Sequence, residues 1–143
     1  MIKSLIKGKT LVQTKDIEEE LDNSADFSEN LIENNAPPKL CELLNNYIEE
    51  KKMTKAEVIR MLNIDRNYGY WILNGSRNPT RNCLIQLSLL LELNVEQINY
   101  LMRLAGKSPL YVRNAVDARV FYAIKHHMDY FDAIDFIWSG AVT

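Results

Sequence analysis

The stretch from Thr54 to Thr80 decides the fold and reads TKAEVIRMLNIDRNYGYWILNGSRNPT. Its pattern predicts a helix, a short break, a second helix, and an exit loop punctuated by Gly75 and Pro79. Thr54 and Glu57 have the T-x-x-E spacing of a capping box, so the first helix is expected to begin at Thr54. This order of elements is a helix-turn-helix, and double-stranded DNA binding is the first functional hypothesis.

The residues between the two helices favour the end of the first helix and the start of the second. Asn63 stands where a left-handed backbone would stop the first helix, because Asn tolerates that conformation well. Asp65 is a good N-cap for a second helix that extends to Leu73. An apolar stripe for packing runs along the first helix at Val58, Ile59 and Leu62.

These residues resemble the XRE or lambda-repressor-like helix-turn-helix family, without a gap from Thr54 through Asn63-Ile64-Asp65 to Thr80. The resemblance implies a five-helix DNA-binding domain over residues 38–106. Helical spacing on either side predicts the remaining helices of that domain, at 40–48, at 81–91 with Thr80 as its cap, and at 95–104.

The resemblance extends beyond this domain. Residues 105–113, followed by Asp117-Ala118-Arg119 and an apolar helix, are similar to a subgroup of small XRE-like regulators from Gram-positive bacteria, in which an acidic N-terminal arm precedes the domain. We therefore divide the chain into a partly flexible acidic arm (1–37), the helix-turn-helix domain (38–106) and a C-terminal helical extension (107–143). Helices are expected at 115–127 and around 131–138, packed on the domain or on a dimer partner.

Two positions depart from the family pattern. The family usually has a small residue where Ile59 stands and a branched apolar residue where Gly69 stands. A larger Ile59 opposite a smaller Gly69 would keep the packed volume between the two helices roughly constant. Glycine inside a helix costs about 1 kcal/mol relative to alanine, so the second helix is expected to be locally soft in isolation.

By resemblance, the DNA-approaching residues lie on the second helix and its flanks. Arg66 has the two donors that match guanine, and Asn67 has the amide that matches adenine. Asp65 is awkward near phosphates and fits a capping role. The full predicted set is Lys55, Asp65, Arg66, Asn67, Tyr70, Trp71, Arg77 and Arg81.

The other members of that set have weaker chemical assignments. Tyr70 or Trp71 would pack on a thymine methyl or a sugar, and the alternative is packing against neighbouring helices. Arg77 and Arg81 are suited to phosphate contacts, and the alternative is a solvated charged face. For Arg66 and Asn67, the alternative is that they are ordinary exposed helix residues.

The charge is unevenly distributed along the chain. The 143 residues carry a formal net charge of −2, a poor indication of DNA binding taken alone. Residues 51–81, however, hold 7 Lys/Arg and 2 Asp/Glu, a balance of +5, whereas residues 1–50 hold 5 and 11, a balance of −6. Because counterion release needs only a local basic patch, this distribution favours a DNA-binding segment within an acidic chain.

The N-terminal arm has no apolar run long enough for a signal peptide or a membrane span, which indicates a cytoplasmic protein. Pro37-Pro38 marks its end. Its acidic residues would compete with DNA for the basic segment, as an autoinhibitory brake. The alternative is a solubilising tail or one that docks a protein partner.

Few glycines and prolines, 47% hydrophobic content and no two-residue alternation predict an all-α fold. Cys41 and Cys83 are expected to be small core residues, since they are too far apart for a CxxC unit. His126-His127 with Asp129 is a poor metal site, because adjacent histidines point to different helix faces. No cofactor, metal or enzymatic activity is expected.

The sequence thus predicts a cytoplasmic, sequence-specific transcriptional regulator of the XRE-like class that reads the major groove of double-stranded DNA with helix 65–73 as a homodimer. Dimerisation would use the C-terminal extension, and the alternative there is a monomer with an enlarged core. The alternative function is a non-enzymatic adaptor that keeps the helix-turn-helix fold and binds a protein partner. The operator, the sign of regulation and any effector are open at this point.

Overall fold

The computed structural model describes residues 5–6, 9–10 and 37–139, and within residues 37–139 the all-α prediction is confirmed. Residues 11–36, which include most of the predicted acidic arm, lie outside the described residues. The sequence did not predict two short strands, β1 (Leu5–Ile6) and β2 (Lys9–Thr10). They pair in antiparallel orientation, with Leu5 opposite Thr10. Strands of two residues are too short to give a detectable alternation.

Residues 37–139 contain seven helices in sequence order. The first five are α1 (Leu40–Glu50), α2 (Lys55–Leu62), α3 (Arg66–Leu73), α4 (Arg81–Leu90) and α5 (Val95–Leu104). The extension adds α6 (Ala115–Lys125) and α7 (Tyr130–Ser139). None of the helices in the described residues is both long and apolar enough to cross a membrane.

The helix boundaries around α2 and α3 follow the predicted capping chemistry. The Thr54 hydroxyl accepts a hydrogen bond from the Glu57 amide at 3.1 Å, and the Glu57 carboxylate accepts one from the Thr54 amide at 3.2 Å, which confirms the capping box. Asn63 ends α2 with a left-handed backbone, at φ +55°. Asp65 then caps α3 by accepting a hydrogen bond from the Tyr68 amide at 3.0 Å.

Later boundaries differ from the prediction by one or two residues. The Thr80 cap of α4 is confirmed, and α4 ends at Leu90 instead of 91. Helix α6 ends at Lys125 instead of 127, because His127 adopts a left-handed backbone at φ +50°. The Met128 amide then donates to the Ala123 carbonyl at 3.0 Å and closes the helix end.

One hydrophobic core joins the domain and its extension. Helix α2 packs on α3 and α4, α1 packs on α3, and α7 packs on α4 and α6. Each of the seven helices contributes a nearly fully buried side chain to this core: Leu43, Val58, Ile72, Leu84, Ile98, Val120 and Ile137. The extension therefore shares the core of the five preceding helices, and its position relative to α4 is fixed by packing.

The contact between α2 and α3 confirms the predicted exchange of bulk. A Cβ placed on Gly69 would lie only 2.6 Å from Cγ1 of Ile59 and 2.9 Å from its Cγ2. Ile59 is 5% exposed, so its side chain fills the space that a larger residue at position 69 would take. The two helices therefore approach each other closely at this point because position 69 lacks a side chain.

Candidate nucleic-acid interface

One face of α3 is exposed, and it carries the residues that the sequence predicted. Arg66, Asn67 and Trp71 are exposed on it, while Ile72 on the opposite side is buried. Trp71 is 42% exposed, an unusual position for a large aromatic side chain. Tyr70 is half-buried and packs against the core at the edge of this face. We call the four exposed or half-exposed residues Arg66, Asn67, Tyr70 and Trp71 the α3 face.

Two arginines stack on aromatic rings of the α3 face. The guanidinium carbon of Arg66 lies 5.9 Å from the centre of the Tyr70 ring, one helical turn away. The guanidinium carbon of Arg77 lies 5.1 Å from the centre of the Trp71 ring. A guanidinium held over a ring keeps its in-plane N–H donors available, so these contacts restrict the side chains without using up their hydrogen-bonding capacity.

The exit loop after α3 holds Arg77 close to the end of that helix. The Ser76 and Arg77 amides both donate to the Trp71 carbonyl, at 2.9 and 3.1 Å. Gly75 has φ +86°, a left-handed conformation that favours glycine at the turn. The Asn45 side-chain amide donates to the Leu73 carbonyl at 2.8 Å and ties the end of α3 to α1.

Exposed positive charge also lies just before α2 and on its first turn. Lys55 is exposed on the first turn of α2, and the neighbouring Lys52 is also exposed. Lys51 differs, because it forms an ion pair with Glu92. Asp65 is exposed at the start of α3 and serves as its cap, which is the role expected from its charge at a helix N-terminus.

Arg81, in contrast, points into the protein. Its two terminal nitrogens donate to both carboxylate oxygens of Asp117 at 2.8 Å. The remaining bonds go to the carbonyls of Ser108 at 3.2 Å and Pro109 at 2.9 Å. The donors that a phosphate would need are thus taken up within the protein.

The electrostatics of this pair are dominated by burial and by mutual hydrogen bonding. Asp117 is only 1% exposed, and burial acts to raise its pKa. Hydrogen bonds from Arg81 and from the Tyr111 amide, with the attraction of the guanidinium, outweigh that effect and lower the pKa of the carboxyl. The hydrogen bond to Asp117 raises the pKa of Arg81, so both groups remain charged at neutral pH.

Sequence reasoning missed Asp117 and Asn78. Asp117 is 36 residues from Arg81, and nothing in its local pattern distinguishes it from an exposed helical aspartate. Asn78 reads as an exit-loop residue, yet its side-chain amide donates to the Ala105 carbonyl at 2.8 Å, at the end of α5. Both contacts join segments distant in sequence, which a local pattern does not reveal.

The cysteines and histidines of the described residues are candidates for metal ligands and core positions. No group of three or more His, Cys, Asp or Glu side chains in that part of the chain is placed to hold a metal ion. Cys83 is buried as predicted, and burial raises its pKa to about 11. Cys41 is only half-buried, so the expectation of a core position holds in part.

Comparison with protein-family models, with curated proteins and with solved structures finds no match. The resemblance to the XRE family thus depends on the motif residues of this chain. The geometry contributes an exposed helix face that carries Arg, Asn and aromatic side chains, and an exit loop that is hydrogen-bonded to the end of that helix.

Proposed function

We propose that this protein is a sequence-specific double-stranded DNA-binding regulator with a lambda-repressor-like five-helix domain, and that α3 enters the major groove. The observation that carries the proposal is the α3 face, which exposes side chains with the chemistry for base recognition on a helix that packs against α1 and α2. An α-helix fits the major groove, whose width is about 12 Å. The eight residues of α3 are long enough to cross it.

Two residues of the α3 face have the chemistry for direct readout. Arg66 presents a planar fork of donors that matches O6 and N7 of guanine, and its contact with Tyr70 limits the conformations it must lose on binding. Asn67 presents the amide that pairs with N6 and N7 of adenine. We assign base recognition to these two residues.

Backbone contacts are assigned to the exposed cations on either side. Arg77 lies at the end of α3, held over Trp71, and Lys55 lies at the start of α2. Phosphate contacts of this kind position the protein without specifying sequence. Asp65 opposes them by placing a negative charge near the approaching backbone, and its capping bond explains why a carboxylate stands there.

The test is selection from a random duplex library by the purified protein at about 150 mM salt, where long-range attraction is largely screened. We expect one enriched sequence. Arg66→Ala should lose the preference at one base position, whereas Arg77→Ala should weaken all sequences and flatten the salt dependence. Arg103→Ala is the matched control, because Arg103 on α5 is likewise exposed and stacked on an aromatic ring, Tyr100, at 5.3 Å. It should preserve the selected sequence.

We also propose that the protein binds DNA as a homodimer, since helix-turn-helix proteins commonly bind half-sites about 34 Å apart through a two-fold axis. The extension offers Tyr122 and Phe131 as large exposed aromatic side chains for that contact, at 51% and 57% exposure. A palindromic selected site would support the dimer. A single asymmetric half-site, with a monomer in sedimentation at the same concentration, would oppose it.

The adaptor is the alternative, and the exposure of Trp71 favours it. Tryptophan and arginine are the residues most enriched among energetic anchors of protein interfaces, and Trp71 and Arg77 lie in contact. The same library selection decides between the two functions. If the folded protein enriches no duplex sequence, the α3 face is better assigned to a protein partner.

A further inference from the structure

The segment between α5 and α6, residues 105–114, is attached to the exit loop and to the start of α4. We call it the connector. The Asn78 side chain donates to its first carbonyl, at Ala105, and Arg81 donates to its Ser108 and Pro109 carbonyls. The connector therefore begins directly beside the loop that follows α3.

The far end of the connector is fixed as well. The Leu110 amide donates to the Asn99 side chain at 2.9 Å, and Leu110 itself is buried. The Tyr111 amide donates to the same Asp117 carboxylate that Arg81 holds, at 2.9 Å. With both ends fixed, the three residues that follow Leu110 project outward. Tyr111 is 59% exposed, Val112 is 62% exposed, and Arg113 is exposed.

The connector carries only positive charge. Residues 105–114 contain Lys107 and Arg113 and no Asp or Glu. Neither cation forms a hydrogen bond or an ion pair with any residue that the structure describes. The nearest buried acid, Asp117, is neutralised by Arg81. The outward side of the connector is thus a basic, partly aromatic surface, the combination that binds phosphates and sugars.

The connector lies next to the exit loop, so one DNA molecule could contact both segments. Ala105 is hydrogen-bonded to Asn78, which adjoins Arg77, and two residues of chain span at most about 7 Å. Lys107 is therefore linked to the exit loop through two residues of chain and one hydrogen bond. The connector thus adjoins the loop whose Arg77 is proposed to contact the DNA backbone.

We propose that the connector is a second DNA-contacting element, in which Arg113 and Lys107 bind phosphates beside the groove that α3 reads, and that Arg81 is the residue that positions it. This inference rests on the proposed DNA-binding function. It explains why an arginine suited to phosphate binding is instead held inside the protein. Through Asp117 and the two carbonyls, Arg81 places two other cations at the surface.

The test is the salt dependence of binding to the selected duplex. Removing one phosphate contact lowers the slope of log K against log salt concentration by about 0.9. We expect that change for Arg113→Gln and for Lys107→Gln, with the selected sequence unchanged. Lys125→Gln is the control, because Lys125 is exposed at the opposite end of α6. Its slope should equal that of the wild type.

The positioning role is tested by removing the ion pair as a unit. In Arg81→Met/Asp117→Asn, neither a buried carboxylate nor a released guanidinium is left behind. We expect Arg113→Gln to change the slope by clearly less in this background than in the wild type, with folding verified by circular dichroism. A role in stability alone would leave the effect of Arg113→Gln the same in both backgrounds. Asn78→Ala, which removes one tie to the connector, is the milder variant if the double substitution does not fold.

The possible results separate the two proposals. If Arg66→Ala abolishes the base preference while Arg113→Gln and Lys107→Gln leave the slope unchanged, the connector is not a DNA contact and the proposed function stands. If the folded wild-type protein selects no duplex, both proposals are overturned.

Discussion

Gly69→Ala is expected to destabilise the protein even though alanine is the better helix former. The substitution gains about 1 kcal/mol of helix propensity in α3. Against that, the new methyl group would lie 2.6 Å from Cγ1, 2.9 Å from Cδ1 and 2.9 Å from Cγ2 of Ile59. Ile59 lies within α2, where a branched side chain has one strongly preferred rotamer. Both γ carbons of Ile59 are too close to the new methyl group. Rotation of Ile59 about χ1 would therefore replace the clash with one γ carbon by a clash with the other.

The magnitude follows from these opposing terms. Overpacking of a well-packed core costs about 1–3 kcal/mol, so Gly69→Ala should lower the free energy of unfolding by about 0–2 kcal/mol. Ile59→Ala alone should cost about 2–5 kcal/mol, because it empties the space beside Gly69. In the Ile59→Ala background the clash is absent, and Gly69→Ala should then stabilise by about 1 kcal/mol. The effect of one substitution changes sign with the identity of its neighbour.

The assay is urea unfolding of the wild type, both single variants and the double variant, followed by circular dichroism with the slope against denaturant compared throughout. The double-mutant cycle should give a coupling free energy of about 1–3 kcal/mol. If Gly69→Ala stabilises the wild type by the full propensity term, or has the same effect in both backgrounds, the argument from the α2–α3 contact is refuted.

Three further predictions concern charge and titration. Asp117 has a lowered pKa in the folded protein, so its contribution to stability is complete above its unfolded pKa of about 4 and is lost as pH falls through the lower folded value. The difference in unfolding free energy between wild type and Asp117→Asn should therefore shrink from pH 7 to pH 3, as measured in urea. Burial raises the pKa of Cys83 to about 11, so alkylation at pH 8, followed by mass spectrometry, should modify Cys41 before Cys83. Equal rates of modification at the two cysteines would contradict the burial of Cys83. Asp65→Asn keeps a capping oxygen and removes a negative charge, so the duplex should bind more tightly by fluorescence anisotropy while stability changes little; unchanged affinity would place Asp65 away from the DNA backbone.

Features that depend on neighbouring residues were predictable from the sequence. The capping box of Thr54 and Glu57 and the left-handed Asn63 each involve groups within three residues of one another, and both are confirmed. The pairing of Ile59 with Gly69 was also predictable, because the turn between α2 and α3 leaves little freedom in how the two helices meet. The DNA-binding roles of the α3 face stay predictions, since they depend on a partner molecule.

The connector could not be predicted, and Arg81 shows the physical reason. Its chemistry and its position next to an exit loop fit a phosphate contact, and in the sequence no acid stands near enough to compete. The competing acid is Asp117, which α6 brings to the start of α4 when α7 packs on α4 and α6. A buried carboxylate is strongly destabilised when its cation is removed. Leaving Asp117 unpaired would therefore cost more free energy than a single exposed phosphate contact by Arg81 would contribute. Under the proposed function, Arg81 would therefore act on DNA indirectly, by fixing the segment that presents Lys107 and Arg113.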